Sequence, residues 1–249
     1  MAPNTLQKLA IDQELLDTVR LIRSGFGQLQ QLNAANDFYH MPLLTLSSGF
    51  EHFLKIILCF RYLEKTGDFP KPSEIPSGRQ GHDLELLLKK VREECFLAQY
   101  VESIPEAKTD LAYLESDELL PFFKVLGRFG QAARYHHLDV VLGREPTTDS
   151  PEREWESLET AILKSRPDLL KDFEGSPNSG RVLKVIAPEV VARLERLARA
   201  LARLFTIGKI GAEAKHYAPY VDGFLQLRDK ELVKTGYRPL GETIIKDRG

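Results

Sequence analysis

Between Thr5 and Lys234 the apolar residues of this chain recur three and four positions apart and nowhere alternate long enough to build a sheet. Such a chain can bury its apolar surface only by packing helix on helix, so an all-α helical bundle is expected. The clearest stretch follows Pro188, where Val190, Leu194, Leu197, Leu201 and Leu204 lie on one face. Proline is well suited to the first helical turn, so Pro188 is expected to open that helix.

The same spacing predicts a long helix over Thr5–Asn33, with Gly25 and Gly27 as weak points, and a second over Pro42–Lys65, stopped by Gly67 and Pro70. Gly67–Gly81 carries Pro70, Pro72 and Pro76 and reads as a loop. A third helix starts near His82, a short one covers Lys108–Leu114, and Pro121 places a long one over Leu119–Leu142. After Gly143 the composition turns polar (REPTTDSPEREW), with Ser150 capping and Pro151 opening a helix to Leu163. That shift divides the chain into an expected bundle over 1–145 and an additional C-terminal helical region over 146–249. Within the latter, a turn of helix is expected over Pro167–Phe173, a loop at FEGSPNSG and a last helix over Tyr220–Lys234.

A formal net charge of -2 and a pI near 6.3 give no overall attraction for polyanions, so any RNA contact needs a local basic patch. Cys59 and Cys95 form no disulfide framework or zinc pattern and suit a reducing cytoplasm as buried thiols. The N-terminus lacks the basic start and unbroken apolar stretch of an export signal. The most apolar run, FLKIILCFRYL, is interrupted by Lys55 and Arg61 and falls short of the roughly 20 residues of a membrane span, so no membrane partner is expected. GRFG lies within a helix rather than after a strand, and no nucleophile elbow or thiol-nucleophile pattern occurs. No cofactor and no metal are expected.

The run GRFGQAARYHHLD holds the candidate catalytic residues Arg128, Arg134, His136 and His137. Adjacent helical histidines point about 100° apart and are poorly placed to share one metal. One imidazole facing a guanidinium would instead supply general acid–base chemistry and charge stabilisation for RNA cleavage. The alternative is that Tyr135 and one histidine fill the core while Arg134 pairs with a carboxylate. A second candidate surface is the row Arg193, Arg196, Arg199 and Arg203, one arc of the Pro188 helix, open either to RNA or a partner or to a solvated face partly paired with Glu189 and Glu195. His82-Asp83 reads as a helix cap, or as the metal-binding doublet of an HD-type phosphohydrolase drawing further ligands from His40, His52, Asp110 and Asp139.

Three segments in order, SGFEHFLKIILCF, GHDLELLLKKV and GQAARYHHLD, together resemble the HEPN helical superfamily over roughly the first 142 residues. The residues that carry the resemblance are Glu51, Leu54, Lys55, His82, Asp83, Leu84, Arg134 and Tyr135. It implies a helical bundle that acts as a homodimer. Many such proteins are ribonucleases of toxin, antiphage or RNA-processing systems, with an Arg followed by a His after four to six residues. Here seven residues separate Arg128 from His136, and one separates Arg134 from His136. The departure favours the non-catalytic members, which bind RNA or protein in stress or defence systems, over a metal-independent endoribonuclease.

Overall fold

The computed structural model describes residues 5–33, 39–145, 150–166 and 179–238. It is all-α, with no strand among the described residues. The helices are α1 (Thr5–Gln30), α2 (His40–Thr66), the single turn α3 (Gly78–Gly81), α4 (Leu84–Cys95), α5 (Ala98–Ser103) and α6 (Pro105–Leu114). They continue with α7 (Leu120–Gln131), α8 (His136–Val141), α9 (Pro151–Ser165), α10 (Ser179–Arg203), the single turn α11 (Ala212–Lys215) and α12 (Ala218–Leu225).

α1 and α2 form the central hairpin, and glycine sets how closely they approach. A Cβ at Gly25 would collide with the Leu46 side chain, and one at Gly49 would lie 2.8 Å from Ile22 Cγ1. Gly25 and Gly27 therefore do not interrupt α1; they are buried, and Gly25 sits at the crossing. α2 is the core helix. An 18-residue window of it has mean hydropathy 1.4, apolar enough to cross a membrane by length and composition, yet 72% of that window is buried inside the protein.

Helices on both sides of residue 145 share one buried cluster, with Phe26, Phe53 and Leu126 from one side and Trp155, Leu194 and Phe205 from the other. Phe205, just beyond α10, stacks on Phe53 at 5.9 Å and meets Phe60 edge-on at 5.7 Å; Tyr237 meets Phe26 at 5.0 Å. The polar stretch after Gly143 thus separates segments of sequence, while the core runs through both.

Three expected elements differ from the structure. The helix expected over Leu119–Leu142 stops at Gln131, passes through a 3-10 turn at Ala133–Tyr135 and resumes as α8. Gly130 allows α7 to lie directly against Ser47, whose hydroxyl occupies the space a Cβ would need, and Ala132 then leaves helical geometry at φ -144, ψ -37. Pro188 lies inside α10, which opens at Ser179. Proline there removes one backbone donor at a cost of about 3 kcal/mol, which the burial of Ile186, Val190, Val191 and Leu194 at 0–1% exposure offsets. The last helix is shorter, α12 followed by a 3-10 turn at Asp229–Glu231. Ser150 does cap α9, its hydroxyl accepting from the Arg153 amide at 3.3 Å. The turn expected over Pro167–Phe173 lies outside the described residues, as does the following loop except for Ser179 and Gly180, which begin α10.

Candidate functional site

The Arg and His candidates gather around α9 but on different sides of it. Arg128, from α7, donates to Glu154 Oε1 at 2.5 Å, and His137, from α8, donates through Nε2 to Glu152 Oε1 at 3.0 Å. Residues two apart on a helix point about 200° away from each other, so the two carboxylates hold Arg128 and His137 on opposite flanks of α9. His137 borders a depression of about 310 Å3 with Tyr39, His40 and Glu152, whereas Arg128 borders a separate cleft of about 450 Å3. Partial burial works against ionisation of Glu152, but hydrogen bonds from His137, its own backbone amide and Ser150, with the charge of His137, together outweigh it and hold the carboxyl below its ordinary value.

The remaining two candidates are local pairs. The His136 ring meets His137 edge-on at 5.2 Å, and the Arg134 guanidinium lies 4.9 Å over the Tyr135 ring. Tyr135 is 47% exposed, so it does not fill the core.

The arginine row of α10 is neither an open basic surface nor a solvated face. Arg193 donates to the Glu118 carbonyl at 3.0 Å and lies over Phe122, and Arg196 donates to both Glu118 carboxylate oxygens at 3.1 Å and covers Tyr113 at 4.0 Å. Arg199, 7% exposed, donates to the Leu227 carbonyl at 2.9 Å and to Asp229 at 2.7 Å. Arg203 donates to buried Asp110 at 2.8 Å. Glu189 and Glu195 take other partners: Glu189 pairs with Arg166, and Glu195 accepts from the Val233 amide and the Tyr237 hydroxyl. The row bolts α10 to α6, to the α6–α7 connection and to the chain after α12, and three carboxylates answer its four cations, Arg193 and Arg196 sharing Glu118. Burial raises the Glu195 and Asp110 carboxyls, with Tyr237 opposing the shift at the first and Arg203 at the second.

At the start of α4, Asp83 caps the helix by accepting from the Leu86 amide at 2.9 Å. His82 donates through Nδ1 to Glu51 Oε2 at 2.8 Å, and Lys55 donates to Glu51 Oε1 at 2.6 Å. Three residues of the family resemblance, Glu51, Lys55 and His82, are thereby one cluster, with Glu51 buried at its centre. The other ligands considered for His82-Asp83 are engaged elsewhere: His52 with Glu14, Asp110 with Arg203, Asp139 with Arg144, and His40 against the Phe129 ring. Burial pushes the Cys95 thiol up to about 12 and the Cys59 thiol up to about 11, so neither is a ready nucleophile near neutral pH.

Lys124, Arg153 and Glu154 belong to no local motif. Lys124 and Arg128, one turn apart on α7, face Arg153 and Glu154 of α9 across the 450 Å3 cleft, over apolar Val125 and Leu158. The four-residue spacing of Lys124 and Arg128 was a signal available in the sequence; that α9 lies opposite them was not. Comparison with known families, curated proteins and solved structures finds no match for the chain.

Proposed function

We propose that this chain is a HEPN-like helical module that acts by binding protein rather than by chemistry, and that α8 is the face through which it binds a second copy of itself. The observation that carries this reading is that α8 buries none of its residues. Tyr135, Leu138, Val140, Val141 and Leu142 are 47, 54, 54, 80 and 54% exposed. A six-residue helix has little stability of its own, and clustered exposed apolar side chains mark an interaction surface. The nearest opposite charges, Asp139 and Arg144, pair with each other at 3.4 Å. Two such patches can therefore meet about a two-fold axis without like charges opposed. Internal pairing of the α10 arginines weighs against RNA as the main partner, and the HEPN resemblance supports a dimeric module of a stress or defence system.

Sedimentation across about 1–100 μM protein tests the reading, since a patch this small supports a dissociation constant in the micromolar range. Val141→Glu should give a monomer with an unchanged melting temperature. A wild type that stays monomeric over the whole range removes α8 as a self-association face. The ribonuclease reading keeps one supporting observation, the His137 imidazole oriented by Glu152. Incubation with labelled RNA in EDTA decides it: cleavage lost in a His136→Ala, His137→Ala variant would establish the activity, and no cleavage by either protein would dismiss it.

A further inference from the structure

The cleft between α7 and α9 has the composition of a ligand site that α8-mediated association does not use. Lys124 and Arg153 are both exposed, and their side chains form no hydrogen bond or ion pair among the described residues. This sets them apart from the four paired arginines of α10. Arg128 and Glu154 neutralise each other in the wall of the cleft, so Lys124 and Arg153 leave it a net charge of about +2. Glu154 is 8% exposed, and its second carboxylate oxygen, Oε2, is buried with no hydrogen-bond partner. With Oε2 closed off from solvent and Oε1 held by Arg128, the cleft presents cations rather than carboxylate oxygen to a ligand.

The geometry points to a binding site for a small phosphomonoester with a compact carbon skeleton, the chemistry of a sugar phosphate. The phosphate dianion matches the two uncommitted cations, a guanidinium and an ammonium being the side chains best suited to phosphate oxygens. Val125 and Leu158 offer the carbon skeleton an apolar wall, and about 450 Å3 accommodates a ligand of this size. A carboxylate ligand would carry too little charge for both cations, and an unphosphorylated sugar would leave both unused.

Binding is followed by isothermal titration calorimetry, which needs no label and no reporter residue at the cleft. The full-length protein is titrated with glucose 6-phosphate, ribose 5-phosphate, inorganic phosphate and glucose. The sugar phosphates should saturate the signal in the micromolar to millimolar range, inorganic phosphate should bind about tenfold more weakly, and glucose should not bind below about 10 mM. Lys124→Ala with Arg153→Ala should weaken sugar-phosphate binding by about a hundredfold, the charged side chains being worth roughly a factor of ten each. Both residues are exposed and unpaired, so this double variant keeps the fold. The proposal is overturned if no phosphorylated probe binds at about 10 mM, or if binding is unaltered in the folded double variant.

Discussion

Two basic regions of this protein, the arginine row of α10 and the α7–α9 cleft, carry similar side chains to opposite ends. In α10, Arg196, Arg199 and Arg203 each meet a carboxylate from elsewhere in the chain, at Glu118, Asp229 and Asp110. In the cleft, Arg128 alone has such a partner, while Lys124 and Arg153 have none among the described residues. A cation whose charge is answered from within contributes to stability and little to recognition, whereas one left unanswered contributes to recognition and little to stability. Periodicity places a charge on a helix face; only tertiary structure decides whether an acid waits opposite it.

The largest effect is expected at Arg199. Its replacement by Met would leave the Leu227 carbonyl without its donor and the buried Glu195 carboxyl without its nearest cation. Asp229 is 83% exposed and regains water, so its share of the loss is small. A destabilisation of about 3 kcal/mol follows, or roughly 10 °C in melting temperature for a chain of this size. Urea unfolding checks it, and an unchanged midpoint would erase the contrast between the two regions.

A smaller and pH-dependent effect is expected at Arg203. Burial raises the Asp110 carboxyl above its ordinary value although Arg203 opposes the shift. A carboxyl raised in the folded state contributes stability that is fully present below its unfolded pKa and is lost as pH rises through the folded value. Arg203→Met removes the opposing charge, raises that carboxyl further and enlarges the loss at neutral pH. The variant should be about 2 kcal/mol less stable than wild type near pH 7, and the gap should narrow as the pH falls into the carboxylate range. A gap that is constant or widens on acidification would mean that Arg203 acts through packing alone.

The fold class was legible in the sequence because a period of three to four residues leaves no alternative to helix packing. α1, α2 and α4 lie close to their expected bounds, since apolar periodicity, the Asp83 cap and the Gly67 stop agree on them. α7 was overrun because GRFG was placed within one helix running to Leu142, when Gly130 is there for contact with Ser47 across the bundle and the helix stops just beyond it. Pro188 misled for a related reason: its local preference for a helix start is overridden by apolar burial on both sides of it. Of the candidate site residues, Arg134, His136 and His137 stand out by local pattern alone. The pairing of Arg128 with Glu154 and the seating of the α10 arginines depend on separations of 26 to 93 residues, which no local pattern encodes.

The smallest effect on stability is expected where the effect on binding is greatest. Lys124 and Arg153 are exposed and form no ion pair among the described residues, so truncating both to Ala removes only solvated side chains. It also relieves repulsion between two cations on one cleft. Unfolding in urea should change by no more than about 0.5 kcal/mol, and a slight gain is the natural sign at low salt. A loss comparable to that at Arg199 would mean that these cations already have an internal partner, and the cleft would then belong with α10 as a structural clasp. Stability kept and phosphate binding lost would separate the two regions by the property that distinguishes them, namely whether the protein itself supplies the anion.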